Sequence, residues 1–259
     1  MNTNAAGKCL ETVSLSAGYG KHVIIYDADL SFTAGSIVTL IGANGSGKST
    51  LLKTLCGELK PLNGTVRLSG PDGDRTITEI PAKELSKRIA ILMTDKFRSG
   101  FMKVKEIVEL GRYPYTGLTG MLSKTDKEAV EKALSLLKLT ELADQLFSEL
   151  SDGQRQLVML ARAICQEPEI LIMDEPTSFL DINYKLALLR IIRALSDKGI
   201  TVILSLHELE LAKEIADSCV CIREGHILPV CAPSEVFTPD ILGEIFGISE
   251  FGPFQRILF

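Results

Sequence analysis

The segment SIVTLIGANGSGKST, residues 36–50, joins an apolar stretch of strand length directly to a glycine-rich loop. The loop has the spacing G-x-x-x-x-G-K-S/T, with Lys48 and Ser49 near its end. Its glycines allow the backbone to curl so that successive amide N–H groups face one point. A following helix directs its positive end to the same point. Residues 36–50 therefore predict a strand, a phosphate-binding loop and a helix.

The predicted phosphate loop gives its polar groups specific roles. Lys48 would reach the β- and γ-phosphates of a nucleoside triphosphate, and the Ser49 hydroxyl would hold magnesium. A glycine-rich loop can also be a simple turn, but every fixed residue of the spacing is present here between a strand and a helix. The candidate nucleotide-binding residues of the loop are Gly42, Ala43, Asn44, Gly45, Ser46, Gly47, Lys48, Ser49 and Thr50.

A second apolar segment, EILIMDEP at residues 169–176, ends in two carboxylates. The carboxyl end of a buried strand is where α/β sheets bind their ligands. Asp174 is predicted to hold magnesium through a water molecule that is bound to the ion. Glu175 is predicted to polarise a second water molecule, which attacks the γ-phosphate. Solvated acids at a capped strand end would give the same sequence, but the phosphate loop in the same chain favours the catalytic interpretation.

Composition and charge limit the class of protein. The 259 residues are 46% hydrophobic and 24% charged, which is the balance of a globular chain with a substantial core. The net charge is −5 and the basic residues are scattered, which gives no electrostatic support for nucleic-acid binding. The amino terminus has no secretion signal and no apolar run reaches the ~20 residues of a membrane-spanning helix, so we expect a cytoplasmic chain.

The six cysteines lack the spacing of a metal site or a disulfide framework. Cys219 and Cys221 are close enough in sequence to suggest a redox or metal pair. Their segment SCVCI is more typical of a short apolar strand in which two small hydrophobic side chains share one face. We therefore expect free, mostly buried thiols.

The order of apolar segments predicts the fold class. Runs of strand length at residues 36–41, 170–173 and 201–205 alternate with longer amphipathic stretches, which predicts an α/β core with a largely parallel sheet. Residues 10–17 and 23–32 are better described as two strands around a turn at the Gly-Tyr-Gly sequence between them. This pattern predicts a small antiparallel sheet.

Between about residues 97 and 166 the strand signals disappear and helical periodicity replaces them, which predicts an inserted helical region. In the middle helix, Asp126 and Glu128 are expected in the first turn and Lys138 in the last turn, where they complement the helix dipole. The three helices are predicted at residues 104–110, 125–139 and 154–166.

The segment LSDGQRQLVMLARAI, residues 150–164, resembles the LSGGQ signature of ABC ATPases, and it precedes the acidic strand at that family's distance. Ser151 offers a hydroxyl, Gly153 permits close approach of the backbone, and the helix end favours an anion. Ser151 or Asp152 would cap a helix in any protein, but a cap does not explain Gly153 and Gln154. The resemblance implies that Ser151, Gly153 and Gln154 contact the ATP that is bound to the other subunit of a dimer.

Other positions resemble the same family in the expected order. The segment SFLD, residues 178–181, resembles the D-loop between two nucleotide sites, and His207 resembles the switch histidine that binds the γ-phosphate. Tyr19 is similar to the aromatic residue that stacks on adenine. Thr94 occupies the position of the Q-loop glutamine, a magnesium ligand in the family. A threonine hydroxyl is a hard oxygen ligand but is shorter, so we expect altered magnesium dependence, which turnover of Thr94→Gln would test.

The resemblance implies the whole architecture and activity. The expected fold is an α/β P-loop NTPase core with a mostly parallel sheet, a small antiparallel β subdomain and an inserted helical subdomain at about residues 97–166. The ABC ATP-binding domain is expected at residues 8–247, followed by a tail at 248–259. The implied activity is ATP hydrolysis with ATP and Mg²⁺ as cofactors. The implied catalytic residues are Glu175, His207 and Lys48, and the implied magnesium ligands are Ser49, Asp174 and Thr94.

The resemblance also implies partners. A homodimer of ATPase subunits is expected on the cytoplasmic face of the plasma (inner) membrane, bound to an integral-membrane permease dimer and indirectly linked to a substrate-binding protein. The segments RIAILMTDKF and VKEIVELGRYPYTG, residues 88–97 and 104–117, are similar to ATPases of importers for iron-siderophores, haem and cobalamin. Two alternatives stay open: a non-transport ABC ATPase, such as the scaffold ATPase of iron-sulfur cluster assembly, and a regulatory nucleotide-binding module with little turnover.

Overall fold

The computed structural model describes residues 7–71, 73–93, 101–117, 120–178, 180–228 and 232–248. In chain order the strands are β1 (Lys8–Tyr19), β2 (His22–Thr33), β3 (Ile37–Ile41), β4 (Asn63–Leu68), β5 (Arg75–Thr76), β6 (Ile89–Leu92), β7 (Ile170–Met173), β8 (Thr201–Ser205), β9 (Ser218–Arg223) and β10 (His226–Ile227). The α-helices are α1 (Lys48–Leu55), α2 (Ala82–Arg88), α3 (Val104–Glu109), α4 (Lys124–Leu136), α5 (Asp152–Cys165), α6 (Ile182–Ser196), α7 (Leu209–Ile215), α8 (Pro233–Val236) and α9 (Pro239–Phe246).

A mostly parallel sheet forms the centre of the described chain, with the strand order β10-β9-β3-β8-β7-β6. Among the described strands of this sheet, β10 is antiparallel to its neighbour β9 and the other neighbouring pairs are parallel. Every residue of β3, β7 and β8 is buried, because helices and a second sheet cover both faces. The predicted α/β fold class is confirmed, and β7 and β8 have the predicted bounds. Cys219 and Cys221 are buried in β9, which confirms the interpretation of that segment as an apolar strand.

The amino-terminal strands form the predicted antiparallel sheet, with the order β2-β1-β4-β5. The turn lies at Gly20 and Lys21, so the prediction of a turn at residues 18–20 is right for Gly20 and wrong for Gly18 and Tyr19, which still pair with Val23 and His22. Gly18 is required by close packing within the hairpin, since a Cβ there would lie 2.0 Å from the carbonyl oxygen of His22. The strands are therefore longer than their apolar patterns indicate.

Helices α3, α4 and α5 lie between β6 and β7 in the chain, in agreement with the predicted helical insertion. Asp126 lies in the first turn of α4, whereas Glu128 lies beyond that turn. The prediction for Lys138 is wrong: α4 ends at Leu136, and Lys138 has a left-handed backbone with φ 56°. The amide of Lys138 donates instead to the carbonyl of Ser135, which closes the chain after the helix.

Parallel strands place their carboxyl ends at one edge of a sheet. In this protein the segments that follow β3, β7 and β8 are the glycine-rich loop, the acidic pair and the residues around His207. The topology therefore brings three separate predicted motifs to a common edge. Within the described ranges, none of the helices has the length and apolar character needed to span a membrane.

Candidate active site

The glycine-rich loop between β3 and α1 is packed closely against neighbouring strands. A Cβ on Gly42 would lie 2.5 Å from the carbonyl oxygen of Ile222, and one on Gly47 would lie 2.6 Å from Cδ1 of Ile25. Gly47 also has φ 108°, which side chains rarely adopt. Any larger residue at these positions would displace the loop, so the glycines are needed to hold its curl.

Lys48 is the buried cation of the loop, with only 6% of its surface exposed. Its Nζ donates to the carbonyl oxygens of Gly42 and Ala43, at 2.8 and 3.1 Å. Burial lowers the pKa of Lys48, and the negative charges of Glu175 and Asp174 partly oppose that effect. The lysine is thus electrostatically coupled to the acidic pair, as the predicted site requires.

The first turn of α1 follows the loop. Its N-cap is Gly47, which has no side chain to occupy the amino-terminal amides, and Ser49 is exposed beside them. Ser46 lies in the loop with a buried hydroxyl oxygen that has no hydrogen-bond partner among the described residues. Free helix amides and an unpartnered polar atom are features that suit an anionic ligand.

The acidic pair follows β7, and the next strand holds it in place. Asp174 is 7% exposed, and its backbone N–H donates to the carbonyl of Leu92 at 2.9 Å. The Ser205 hydroxyl, at the end of β8, donates to Oδ1 of Asp174 at 2.6 Å. The same hydroxyl accepts a hydrogen bond from the backbone N–H of Glu175 at 2.9 Å. The sheet therefore fixes both acids through a serine that sequence reasoning did not single out.

Glu175 contacts the predicted switch histidine. The Nε2 atom of His207 lies 2.6 Å from Oε1 of Glu175, and the Ser178 hydroxyl lies 3.4 Å from the other carboxylate oxygen. The structure thus brings together four predicted residues from three segments, namely Lys48, Asp174, Glu175 and His207. A carboxylate and an imidazole side by side, next to a buried cation, can orient a water molecule and stabilise negative charge on a phosphate.

The oxygen groups of the site suit magnesium that is shared with a triphosphate. Mg²⁺ prefers oxygen ligands and is usually held by one or two protein groups together with substrate phosphates. Asp174 and Ser49 supply a carboxylate and a hydroxyl of this kind. In the part of the chain that the structure describes, no cluster of three His, Cys, Asp or Glu residues could hold a metal ion by itself. Thr94, the third predicted magnesium ligand, lies outside the described residues.

The signature segment forms the amino end of α5. The Ser151 hydroxyl accepts from the Gln154 amide at 3.3 Å, and the Gln154 side chain accepts from the Ser151 amide at 2.9 Å. Gly153 packs against the ring of Tyr184, since a Cβ would lie 2.8 Å from it. Among the described residues, no hydrogen bond of Ser151 or Gln154 reaches the phosphate loop or the acidic pair. The side-chain hydrogen bonds of Ser151 and Gln154 are made to each other, within the cap of α5.

Tyr19 lies at the tip of the β1–β2 hairpin and is 51% exposed. Ile25, which pairs with Ala17 in this hairpin, is the residue that packs against Gly47 of the phosphate loop. The hairpin therefore lies beside the loop, with an exposed aromatic ring at its tip. In the predicted D-loop, Asp181 caps α6 by accepting from the amides of Asn183 and Tyr184, and Phe179 lies outside the described residues.

Glu208 follows the predicted switch histidine and was not singled out from the sequence. Its carboxylate accepts from Nζ of Lys185 at 2.5 Å and from the Thr177 hydroxyl at 2.8 Å. Burial raises the pKa of Glu208, but the hydrogen bonds from Lys185 and Thr177 outweigh burial and lower it. These contacts join three segments near the site, and no local sequence pattern indicates them.

The GRYPYTG segment has a structural role away from the phosphate loop. Arg112 is 3% exposed and donates to Oδ1 of Asp126 at 2.9 Å, to the carbonyl of Cys165 at 2.8 Å and to Oε2 of Glu167 at 2.8 Å. Its guanidinium lies 3.9 Å from the ring centre of Tyr115. Burial lowers the pKa of Arg112, but its bonds to Asp126 and Glu167 raise it overall. The segment clamps the carboxyl end of α5.

Comparisons with known proteins agree with this geometry. A family model described as ABC transporter matches residues 25–178. The uncharacterized ABC transporter ATP-binding protein MJ0873 of Methanocaldococcus jannaschii is 39% identical over 240 residues, which cover 92% of this chain and 81% of that protein. The ferric enterobactin transport ATP-binding protein FepC of Escherichia coli is 37% identical over 235 residues, which cover 90% of this chain and 85% of the relative.

Solved structures give the same result. The ADP conformation of MJ1267, an ATP-binding cassette of an ABC transporter, matches with a TM-score of 0.80 and 26% identity, over 94% of this chain and all of that one. The family model covers more than half of the chain, and the relatives align with about nine-tenths of it. This protein therefore belongs to the ABC transporter family, as an ATP-binding subunit that hydrolyses ATP.

Proposed function

We propose that this protein works as a homodimer that drives an importer of iron-siderophore, haem or cobalamin type from the cytoplasmic face of the membrane. The observation that carries the proposal is the division of the site. Lys48, Glu175 and His207 interact within one chain, whereas Ser151 is exposed at the amino end of α5 and bonds to Gln154 of its own helix. A second copy would supply the missing signature.

Each ATP would then lie between two chains. Residues 42–50 of one copy would bind the phosphates through backbone amides and Lys48, and Tyr19 would stack on adenine. Ser151, Gly153 and Gln154 of the other copy would close the site from the opposite side. Because both copies contribute to each ATP, binding would favour the closed dimer over separate subunits.

The proposed chemistry uses the acidic strand end. Glu175 would orient the water that attacks the γ-phosphorus, and His207 would hold Glu175 and the γ-phosphate in register. Asp174, Ser49 and Thr94 would hold Mg²⁺, which when bound neutralises charge on the phosphates. Breakage of the bond to the β-phosphate oxygen would remove the group that joins the two copies, so hydrolysis would reopen the dimer.

The substrate class follows from the relatives and from the importer-like segments. A relative named for ferric enterobactin transport matches most of the chain, which favours a chelated iron cargo. The cargo itself would contact a permease dimer and an external binding protein. ATPase rates of the reconstituted complex, measured with binding proteins loaded with ferric siderophore, haem or cobalamin, would identify it. No stimulation by any of the three would contradict the proposed class.

Glu175→Gln tests the assignment of the hydrolytic site. The amide keeps the size of the side chain but cannot act as a base, so we expect at least a hundredfold loss of turnover and a stable dimer with ATP and Mg²⁺. ATPase assays and light-scattering mass give both readouts. Glu128→Gln is a matched exchange on an exposed face of α4 and should behave like the parent. A Glu175→Gln protein that stays monomeric and turns over ATP normally would refute the proposal.

A further inference from the structure

We propose that Ser205 is a positioning residue for ATP hydrolysis, because its one buried hydroxyl joins the carboxylate of Asp174 to the backbone amide of Glu175. The inference rests on the proposed role of Glu175 in activating water. It adds a residue that contacts neither the phosphates nor water in this assignment, and that acts through the two acids.

The position of Ser205 follows from the sheet. Strands β7 and β8 are parallel neighbours, and Met173 pairs with Leu204. The residues that follow them, Asp174 and Ser205, therefore lie side by side. Ser205 is fully buried at this point. Its Oγ lies 2.6 Å from Oδ1 of Asp174 and 2.9 Å from the backbone nitrogen of Glu175. Both distances are those of good hydrogen bonds.

The direction of each hydrogen bond is set by chemistry. A backbone N–H can only donate, so the oxygen of Ser205 must accept from Glu175. An ionised carboxylate can only accept, so the single hydroxyl proton of Ser205 must point to Asp174. Donating and accepting at once uses both capacities of the hydroxyl, and alanine can do neither. One side chain thus fixes two consecutive residues of the predicted catalytic segment.

Glu175 needs this support because of its backbone. Its φ is 48°, a left-handed conformation that is uncommon outside glycine and persists only where the surroundings fix it. The bond from its amide to Ser205 is part of that surrounding structure, and it holds the chain in the turn that brings the carboxylate to 2.6 Å from His207. Without the hydroxyl, the peptide can rotate and carry the carboxylate away from the attacking water.

The expected effect is on the chemical step rather than on ATP binding. Ser205 lies at the end of β8 and bonds to neither residues 42–50 nor the signature segment in the described chain. A displacement of about 1 Å at a reacting group can cost about a hundredfold in rate. For Ser205→Ala we expect kcat to fall by roughly 10-fold to 100-fold, while KM for ATP changes by less than about threefold.

Two variants separate positioning from general destabilisation. Ser196→Ala removes another buried serine hydroxyl, which donates to the carbonyl of Gly35 at 2.7 Å and takes no part in the site. It should lower the melting temperature as much as Ser205→Ala does and leave kcat unchanged. Ser205→Thr keeps the hydroxyl and should retain most of the parental kcat. Calorimetry of ATP binding, with and without Mg²⁺, gives a readout that does not depend on turnover.

The outcomes are distinct. A lower kcat for Ser205→Ala, with parental ATP affinity, a parental rate for Ser196→Ala and recovery in Ser205→Thr, supports the inference. Equal kcat for Ser205→Ala and the parent overturns it, and so does a parallel fall in kcat for Ser196→Ala. If the threonine variant does not fold, the comparison of the two alanine variants still decides. Normal turnover of Glu175→Gln would instead refute the proposed function, whatever Ser205 does.

Discussion

Helix α5 is held in different ways at its two ends. At the carboxyl end, buried Arg112 binds the carbonyl of Cys165 and ties it to Asp126 on the neighbouring helix α4. At the amino end, exposed Ser151 is bonded to Gln154 of the same helix in a capping box. The carboxyl end is fixed by a buried charged side chain from another segment. The amino end has its cap at the surface and further contacts of Gly153 with Tyr184 and of Arg155 with the carbonyls of residues 147 and 148.

This difference suits a helix that presents its tip to another molecule. The buried contacts of Arg112 fix the direction of α5, whereas the capping box between Ser151 and Gln154 keeps the amino end ordered and leaves Ser151 exposed. The opposite arrangement would hide the signature and let the helix tilt. Substitutions of comparable residues at the two ends therefore test whether the carboxyl end mainly stabilises the fold and the amino end mainly serves contact with another molecule.

The largest expected effect is for the two arginines of the helix ends. Arg112→Met removes the cation that pairs with the buried carboxylate of Asp126, which keeps its hydrogen bonds from Ser123, and should lower the free energy of unfolding by about 3–5 kcal/mol. Arg155→Met removes the pair with exposed Asp152 and the hydrogen bonds to the carbonyls of Phe147 and Ser148, all at a partly exposed side chain, and should cost about 1–2 kcal/mol. Urea denaturation of both variants measures the difference. Equal losses would mean that the two ends are anchored alike.

Two glycines give the next comparison. A Cβ on Gly111 would lie 2.2 Å from the backbone carbonyl oxygen of Arg162, so Gly111→Ala must shift the last turns of α5 and should cost about 2–3 kcal/mol. A Cβ on Gly153 would meet the ring of Tyr184, which can move, so Gly153→Ala should cost about 1 kcal/mol. Despite its smaller effect on stability, Gly153→Ala should lower ATP turnover more. A larger loss of turnover for Gly111→Ala would contradict the assignment of the amino end of α5 to ATP turnover and of its carboxyl end to stability.

The smallest effect on stability is expected for two serine caps. Ser151 and Ser123 both accept a hydrogen bond from the third residue of their helices, at 3.3 and 3.2 Å. Replacing either by alanine should cost about 1 kcal/mol. Only Ser151→Ala should also weaken ATP-dependent dimerisation of a Glu175→Gln protein, which sedimentation can measure. If Ser123→Ala weakens the dimer equally, the cap of α5 affects dimerisation only by stabilising the fold of each chain.

The sequence predicted those parts of the fold that depend on local patterns. Strands β7 and β8 have the predicted bounds because every residue of both is buried and most of their side chains are apolar. The prediction that Gly18 lies in a turn was wrong because, in sequence, a glycine required by close packing cannot be told from one required by a turn. The predicted carboxyl end of α4 was wrong because Lys138 continues the helical pattern in sequence, although its backbone is left-handed.

The parts of the site that sequence reasoning missed depend on tertiary contacts. Ser205 matters because parallel pairing brings it next to Asp174, and nothing within its own segment indicates that neighbour. Arg112 stood out as part of a family-like segment, but its partners at residues 126, 165 and 167 are distant in sequence. Charged and hydroxyl side chains of this kind look solvent-exposed until the fold is known.

Helix α5 also makes a hydrogen bond to the acidic segment from a position between its two ends. The side-chain amide of Gln156 donates to the carbonyl oxygen of Pro176, immediately after Glu175, at 3.1 Å. The acceptor belongs to the main chain, so it survives any replacement of residue 176 that leaves the backbone path intact. The donor is one particular side chain, and most replacements abolish it. Tolerance to mutation therefore differs between the two positions: a single substitution at position 156 can remove this hydrogen bond, whereas a substitution at position 176 that keeps the backbone path preserves it.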